Sequence, residues 1–155
     1  MTDEKNLWQE DDLVRDLKAY GVALGKPLAI GAGLLVALYL ITSLSFLDWT
    51  IDLTNNVTWV IKVGVMAAAI WRLTGMYRQH INHGLAVGAV AGVTLGIASA
   101  LCKLIWFFNY WLLANLLVEP ILSGAIGLLL GFIMIKAIQI KNKMNRDDES
   151  RLQEK

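Results

Sequence analysis

The strongest constraint on this chain is an uncharged run. Residues 28–47 (LAIGAGLLVALYLITSLSFL) contain no Asp, Glu, Lys or Arg. Twenty residues at a rise of about 1.5 Å each cross about 30 Å of hydrocarbon. Three further apolar stretches follow, at roughly 57–77, 84–106 and 120–140. Only 17% of the 155 residues are charged, against about 25% in an average soluble domain. That is too little charge to cover a water-facing surface. The pattern predicts an all-α integral membrane protein with four transmembrane helices and rules out a soluble enzyme with a private core.

The segment before the first span has a different character. Leu13, Leu17, Tyr20 and Leu24 recur at helical spacing, with Asp12, Arg15, Asp16 and Lys18 between them. This predicts an amphipathic interfacial helix within residues 1–27, broken by Gly25-Lys26-Pro27. Residues 28–140 then form the transmembrane domain, and 141–155 a charged tail. Leu104–Val118 holds Trp106, Tyr110 and Trp111, side chains that favour the headgroup level. Its 107–118 part is expected to bend into the interface rather than lengthen the third span.

Orientation follows from the basic residues. Lys5, Arg15, Lys18 and Lys26 precede the first span. Lys136, Lys141, Lys143, Arg146, Arg151 and Lys155 lie at the other end, and Arg78 lies in the 78–83 loop. The 48–56 and 107–118 connections have none. The positive-inside rule therefore puts both termini in the cytoplasm, and an even number of spans requires both ends to lie on one side. A bacterial inner membrane is the default location. The net charge of +1 gives no bias toward nucleic acid.

Small residues mark the helix-packing faces. Gly84, Gly88, Gly92 and Gly96 recur every fourth residue on span three, and Ser99 and Lys103 continue that face. Gly124, Gly127 and Gly131 share one side of span four, Ala29, Gly33 and Ala37 one side of span one, and Gly64 and Ala68 one side of span two. Such flanks let helix backbones approach closely in lipid, either within the chain or against another subunit.

Charges inside the spans are few. Lys62 and Arg72 lie within span two, each close enough to an end to snorkel. The functional alternative is a charged, lipid or anion site in which Lys62 pairs with Asp48, Asp52 or Glu119, with Lys103 adding a second positive charge and Arg72 a third candidate. All 13 acidic residues fall outside the four predicted spans, which argues against an intramembrane carboxylate of the kind proton-coupled transporters use. No span holds a histidine, so haem held by two histidines within the bundle is not expected. His80 and His83 alone make an incomplete metal site, and the single Cys102 forms no intrachain disulfide. No catalytic residues, metal or cofactor are expected. The expected role is a non-enzymatic accessory, assembly or scaffolding subunit of a membrane complex, with the bilayer and other membrane subunits, or a second copy, as partners. The alternatives are a homo-oligomeric channel, pore or holin-like protein, and a lipid- or anion-handling protein.

Overall fold

The computed structural model describes residues 3–43, 51–76, 81–107 and 113–153. It is all-helical among these residues: α1 (Asp3–Thr42), α2 (Ile51–Met76), α3 (Ile81–Phe107) and α4 (Asn115–Gln153). Each helix contains a stretch long and apolar enough to cross a membrane: Tyr20–Thr42, Asp52–Thr74, Asn82–Trp106 and Asn115–Arg146.

Helix boundaries differ from the sequence expectation in three places, the simplest being α2, which starts at Ile51 and so makes residues 51–56 of the expected 48–56 connection helical. The break at Gly25-Lys26-Pro27 is absent, and α1 runs through Pro27 without interruption. Proline removes one backbone donor, whose bond would have gone to the Ala23 carbonyl, and an apolar helix tolerates that loss when its neighbours compensate. The third difference is at α4, which starts at Asn115 rather than at Pro120. Residues 115–118, expected in the interface, are helical, and span three ends with α3 at Phe107. Residues 108–112, the rest of that aromatic segment, lie outside the described residues.

The helices pack as a bundle in which α3 touches all three others, while among the described residues the backbones of α1 and α4 do not approach each other. The closest pairing is α3 with α4. Its cause is the glycine face. A Cβ built at Gly96 would lie 2.6 Å from the Cα of Pro120, and one at Gly92 2.6 Å from the carbonyl carbon of Ser123. At Gly88 the obstacle is the backbone of Gly127, and at Gly84 it is the backbone of Gly131 with the side chain of Ile135. Ascending α3 therefore descends α4, so the pair is antiparallel and in register. Gly127 and Gly131 meet the α3 backbone in return, and Gly124 meets Val93. A side chain at Gly88, Gly92, Gly96, Gly127 or Gly131 forces the two backbones apart.

The apolar core sits between α1, α2 and α3, with Ile135 of α4 completing it. Leu35, Met66, Ile70, Leu73 and Leu95 are almost fully buried there, joined by Val87 and Ala91. Around this core the helices present large apolar side chains outward, among them Ile30, Val60, Trp71, Ile105, Leu117 and Leu129. In water such a surface would aggregate; in hydrocarbon it is the expected exterior. The tail continues α4 as helix to Gln153.

Candidate functional site: a buried ionic cluster shared by the helices

Glu119 sits in the second turn of α4, beside Pro120, where Gly96 lets α4 press against α3. That approach brings its carboxylate into the bundle. Oε2 accepts from Lys62 Nζ of α2 at 3.2 Å and from the Ser99 hydroxyl of α3, and Oε1 pairs with Lys103 Nζ of α3. Lys62 also donates to Ser123 Oγ at 3.3 Å. Its ammonium lies 4.6 Å from the centroid of the Trp59 ring, one turn earlier on the same helix. α1 contributes Tyr39, fully buried, whose hydroxyl neighbours Thr58 of α2 and lies within electrostatic reach of Glu119.

The burial is deep. The Lys62 side chain is 1% exposed, and Ser99 and Ser123 are fully buried. A charge within a span costs up to about 2.5–3.5 kcal/mol, and less toward its ends; the carboxylate, the serine hydroxyl and the indole face together offset that cost. Snorkelling does not occur at Lys62: its ammonium turns inward to Glu119. Lys103 is different. Its side chain is 16% exposed, and Glu119 is its partner. Among the described residues the cluster holds two ammonium groups and one carboxylate, a formal excess of one positive charge.

The structure brings three of the sequence-derived charged residues together and leaves the others apart. Lys62, Lys103 and Glu119 meet. Asp52 is exposed in the first turn of α2, ten residues from Lys62 and so about 15 Å along the helix. Arg72 lies the same distance the other way and is half-buried. Neither joins the cluster. Asp48 lies outside the described residues. The expectation that every acid stands clear of the spans is overturned, because α4 starts before Glu119 and carries it inside the fourth candidate span. Ser123, Tyr39, Thr58 and Trp59 were not anticipated as neighbours, although Trp59-x-x-Lys62 is a helical spacing that a ring-over-ammonium search would find.

Away from this cluster the interior turns apolar, through Met66, Ala69, Ile70, Leu73 and Val87. The hydroxyls of Thr42, Thr74 and Thr94 bond carbonyls of their own helices, those of Tyr39, Trp71 and Val90. At the opposite end of the bundle Tyr20 of α1 bonds Nδ1 of His83 of α3. This joins the starts of two candidate spans, so α1 and α3 run in the same direction. The molecule is thus a four-helix, membrane-type bundle with a charged cluster near one end and an apolar middle. No protein family, characterised protein or solved structure matches the chain.

Proposed function

We propose that this protein is a non-enzymatic accessory subunit of a membrane complex, and that it meets its partner through α1. The observation that carries this reading is a second small-residue stripe. Gly21, Gly25, Ala29, Gly33 and Ala37 recur every fourth residue on α1, as the glycines of α3 do, and all five are exposed. Around Gly21, Gly25 and Gly33 there is nothing within 4 Å of where a Cβ would stand. Gly64 on α2 is equally open. In lipid, small-xxx-small faces are where helices associate, because hydrophobicity alone does not drive contact there. The α3 stripe fills that role within the chain, against α4, so it is not the face offered to a partner.

The apolar interior between the ionic cluster and the Tyr20–His83 contact favours this role over that of a pore. In this reading the helices lie in a bilayer with both termini cytoplasmic, supported by the basic residues at the two chain ends and the lack of any in 48–56. The cluster end of the bundle then faces outward. A bacterial inner membrane fits the same charge pattern.

The test is Gly33→Leu. Because the site is open, the variant monomer should keep wild-type thermal stability. Purified in mild detergent, wild-type protein should bring a foreign membrane subunit that Gly33→Leu fails to hold. A defined homo-oligomer lost in Gly33→Leu would assign the α1 face to self-association instead. A wild-type protein that is monomeric and alone, indistinguishable from Gly33→Leu, would refute the reading.

A further inference from the structure

The ionic cluster is independent of the open α1 face, and among the described residues its formal charge is unbalanced. Lys62 is satisfied: it has Glu119, Ser123 and the Trp59 ring, and it is sealed from the surface. Lys103 is the open member. An ammonium has three donors. Lys103 directs one to Glu119, and its side chain retains an accessible edge. Behind it stands the second ammonium, in a medium that screens charge poorly. Asp52 lies too far along α2 to neutralise the excess.

The location narrows the ligand. Lys103 stands three residues before Trp106, the last residue of the candidate span Asn82–Trp106, or about 4.5 Å along the helix. Tryptophan marks the headgroup level. An excess cation held at that depth meets phosphate oxygens. One negative charge, as on a phosphodiester, balances the cluster.

We propose that Lys103, backed by Lys62 and oriented by Glu119, binds a phosphate-class oxyanion at the end of the bundle where α3 finishes and α4 begins. The oxyanion accepts from the open side of the Lys103 ammonium, while Glu119 keeps hold of the buried side. Glu119 has two opposed effects: it aims Lys103, and it subtracts from the positive field. This gives the site a signature that a purely structural latch lacks. Removing the positive charge weakens binding, and neutralising the carboxylate without changing its shape strengthens it.

The experiment uses the full-length protein in an uncharged detergent, with two probes. Inorganic phosphate is titrated at fixed ionic strength against chloride, following thermal unfolding. Phosphatidylglycerol is offered against phosphatidylcholine in mixed micelles, with retained lipid counted by native mass spectrometry. Wild type should bind at least one probe. Lys103→Gln should weaken that binding at least tenfold, Lys103→Arg should restore most of it, and Glu119→Gln should tighten it severalfold. Because Glu119 keeps Lys62 and Ser99 in Lys103→Gln, that variant should fold, which its unfolding without ligand checks. Binding of phosphate itself identifies a free oxyanion; binding of phosphatidylglycerol without phosphate identifies a lipid headgroup. The proposal is overturned if wild type distinguishes neither probe from its control. It is equally overturned if Lys103→Gln binds as wild type does, or if Glu119→Gln weakens binding as much as Lys103→Gln.

Discussion

Alanine at Gly92 should destabilise the protein, whereas alanine at Gly64 should stabilise it. Helix propensity favours alanine over glycine by about 1 kcal/mol at an interior position. At Gly64 nothing stands within 4 Å of the added methyl, so part of that gain should be realised, about 0.5–1 kcal/mol. At Gly92 the new Cβ would lie 2.6 Å from the Ser123 carbonyl carbon and 3.0 Å from the Cα of Gly124. Both atoms are backbone, so no side-chain rotation relieves the clash. Ordinary contact begins near 3.4 Å, so α4 must retreat by roughly 1 Å, and the retreat strains the Glu119 contacts one turn away. Overpacking costs about 1–3 kcal/mol, and a rigid obstacle places this case at the upper end. After the propensity gain is subtracted, Gly92→Ala should be about 2 kcal/mol less stable than wild type. The two variants should therefore differ by about 3 kcal/mol, with opposite signs. Unfolding in mixed micelles with rising dodecyl sulfate fraction, followed by circular dichroism, measures both. If Gly92→Ala is as stable as Gly64→Ala, the α3–α4 seam is not held at backbone contact and the packing argument fails.

Two further outcomes follow from the cluster and the charge pattern. Glu119→Ala leaves the buried Lys62 ammonium without its carboxylate and facing the partly exposed Lys103, and should cost about 3–5 kcal/mol in the same unfolding assay, whereas Lys62→Met leaves Glu119 paired with Lys103 and Ser99 and should cost clearly less; equal losses would mean that the pairing does not govern stability. With Cys102 replaced by serine, a cysteine at Asp52 should react with an impermeant maleimide added outside the cell and one at Asn82 should not; the reverse pattern would invert the proposed orientation.

The four helices were legible because each is a long apolar run, and the α3 glycines because a strict four-residue repeat is independent of tertiary context. Which helix those glycines meet was not legible. Gly84–Gly96 pair with α4 because Gly124, Gly127 and Gly131 fall in antiparallel register with them, and the matching stripe on span one offered the same chemistry. Glu119 was misplaced for a local reason. It precedes a proline, and a proline at the edge of an apolar run reads as a helix start. The helix begins five residues earlier, where Ala114 accepts from both Leu117 and Val118 to close the first turn. Pro120 is then merely an interior residue with one donor missing. That shift moves a carboxylate into the bundle. Once it is there, Lys62 has a reason to turn inward that the sequence of α2 alone does not contain.

The glycine face and the ionic cluster are two parts of one arrangement. Gly96 permits the Pro120 backbone to approach; that approach brings Glu119 onto Ser99, one turn beyond Gly96 on α3. Lys103, the next turn on, then reaches the other carboxylate oxygen, and Lys62 locks α2 against the pair. Close backbone packing therefore precedes the ion pairs in cause, and a side chain at Gly96, which would press on the backbone of Glu119 and Pro120, should disperse the cluster with every charged residue left in the sequence. α1 stands outside this chain of dependence. It joins the bundle through Leu35, Tyr39 and the Tyr20–His83 contact, has no close backbone approach to α4 among the described residues, and leaves its Gly21, Gly25 and Gly33 face open. The same four-residue repeat thus has two fates in one molecule. On α3 it is filled by a matching stripe of the same chain, and on α1 it is bare, so a partner helix can meet α1 without disturbing the seam that holds the charged cluster together.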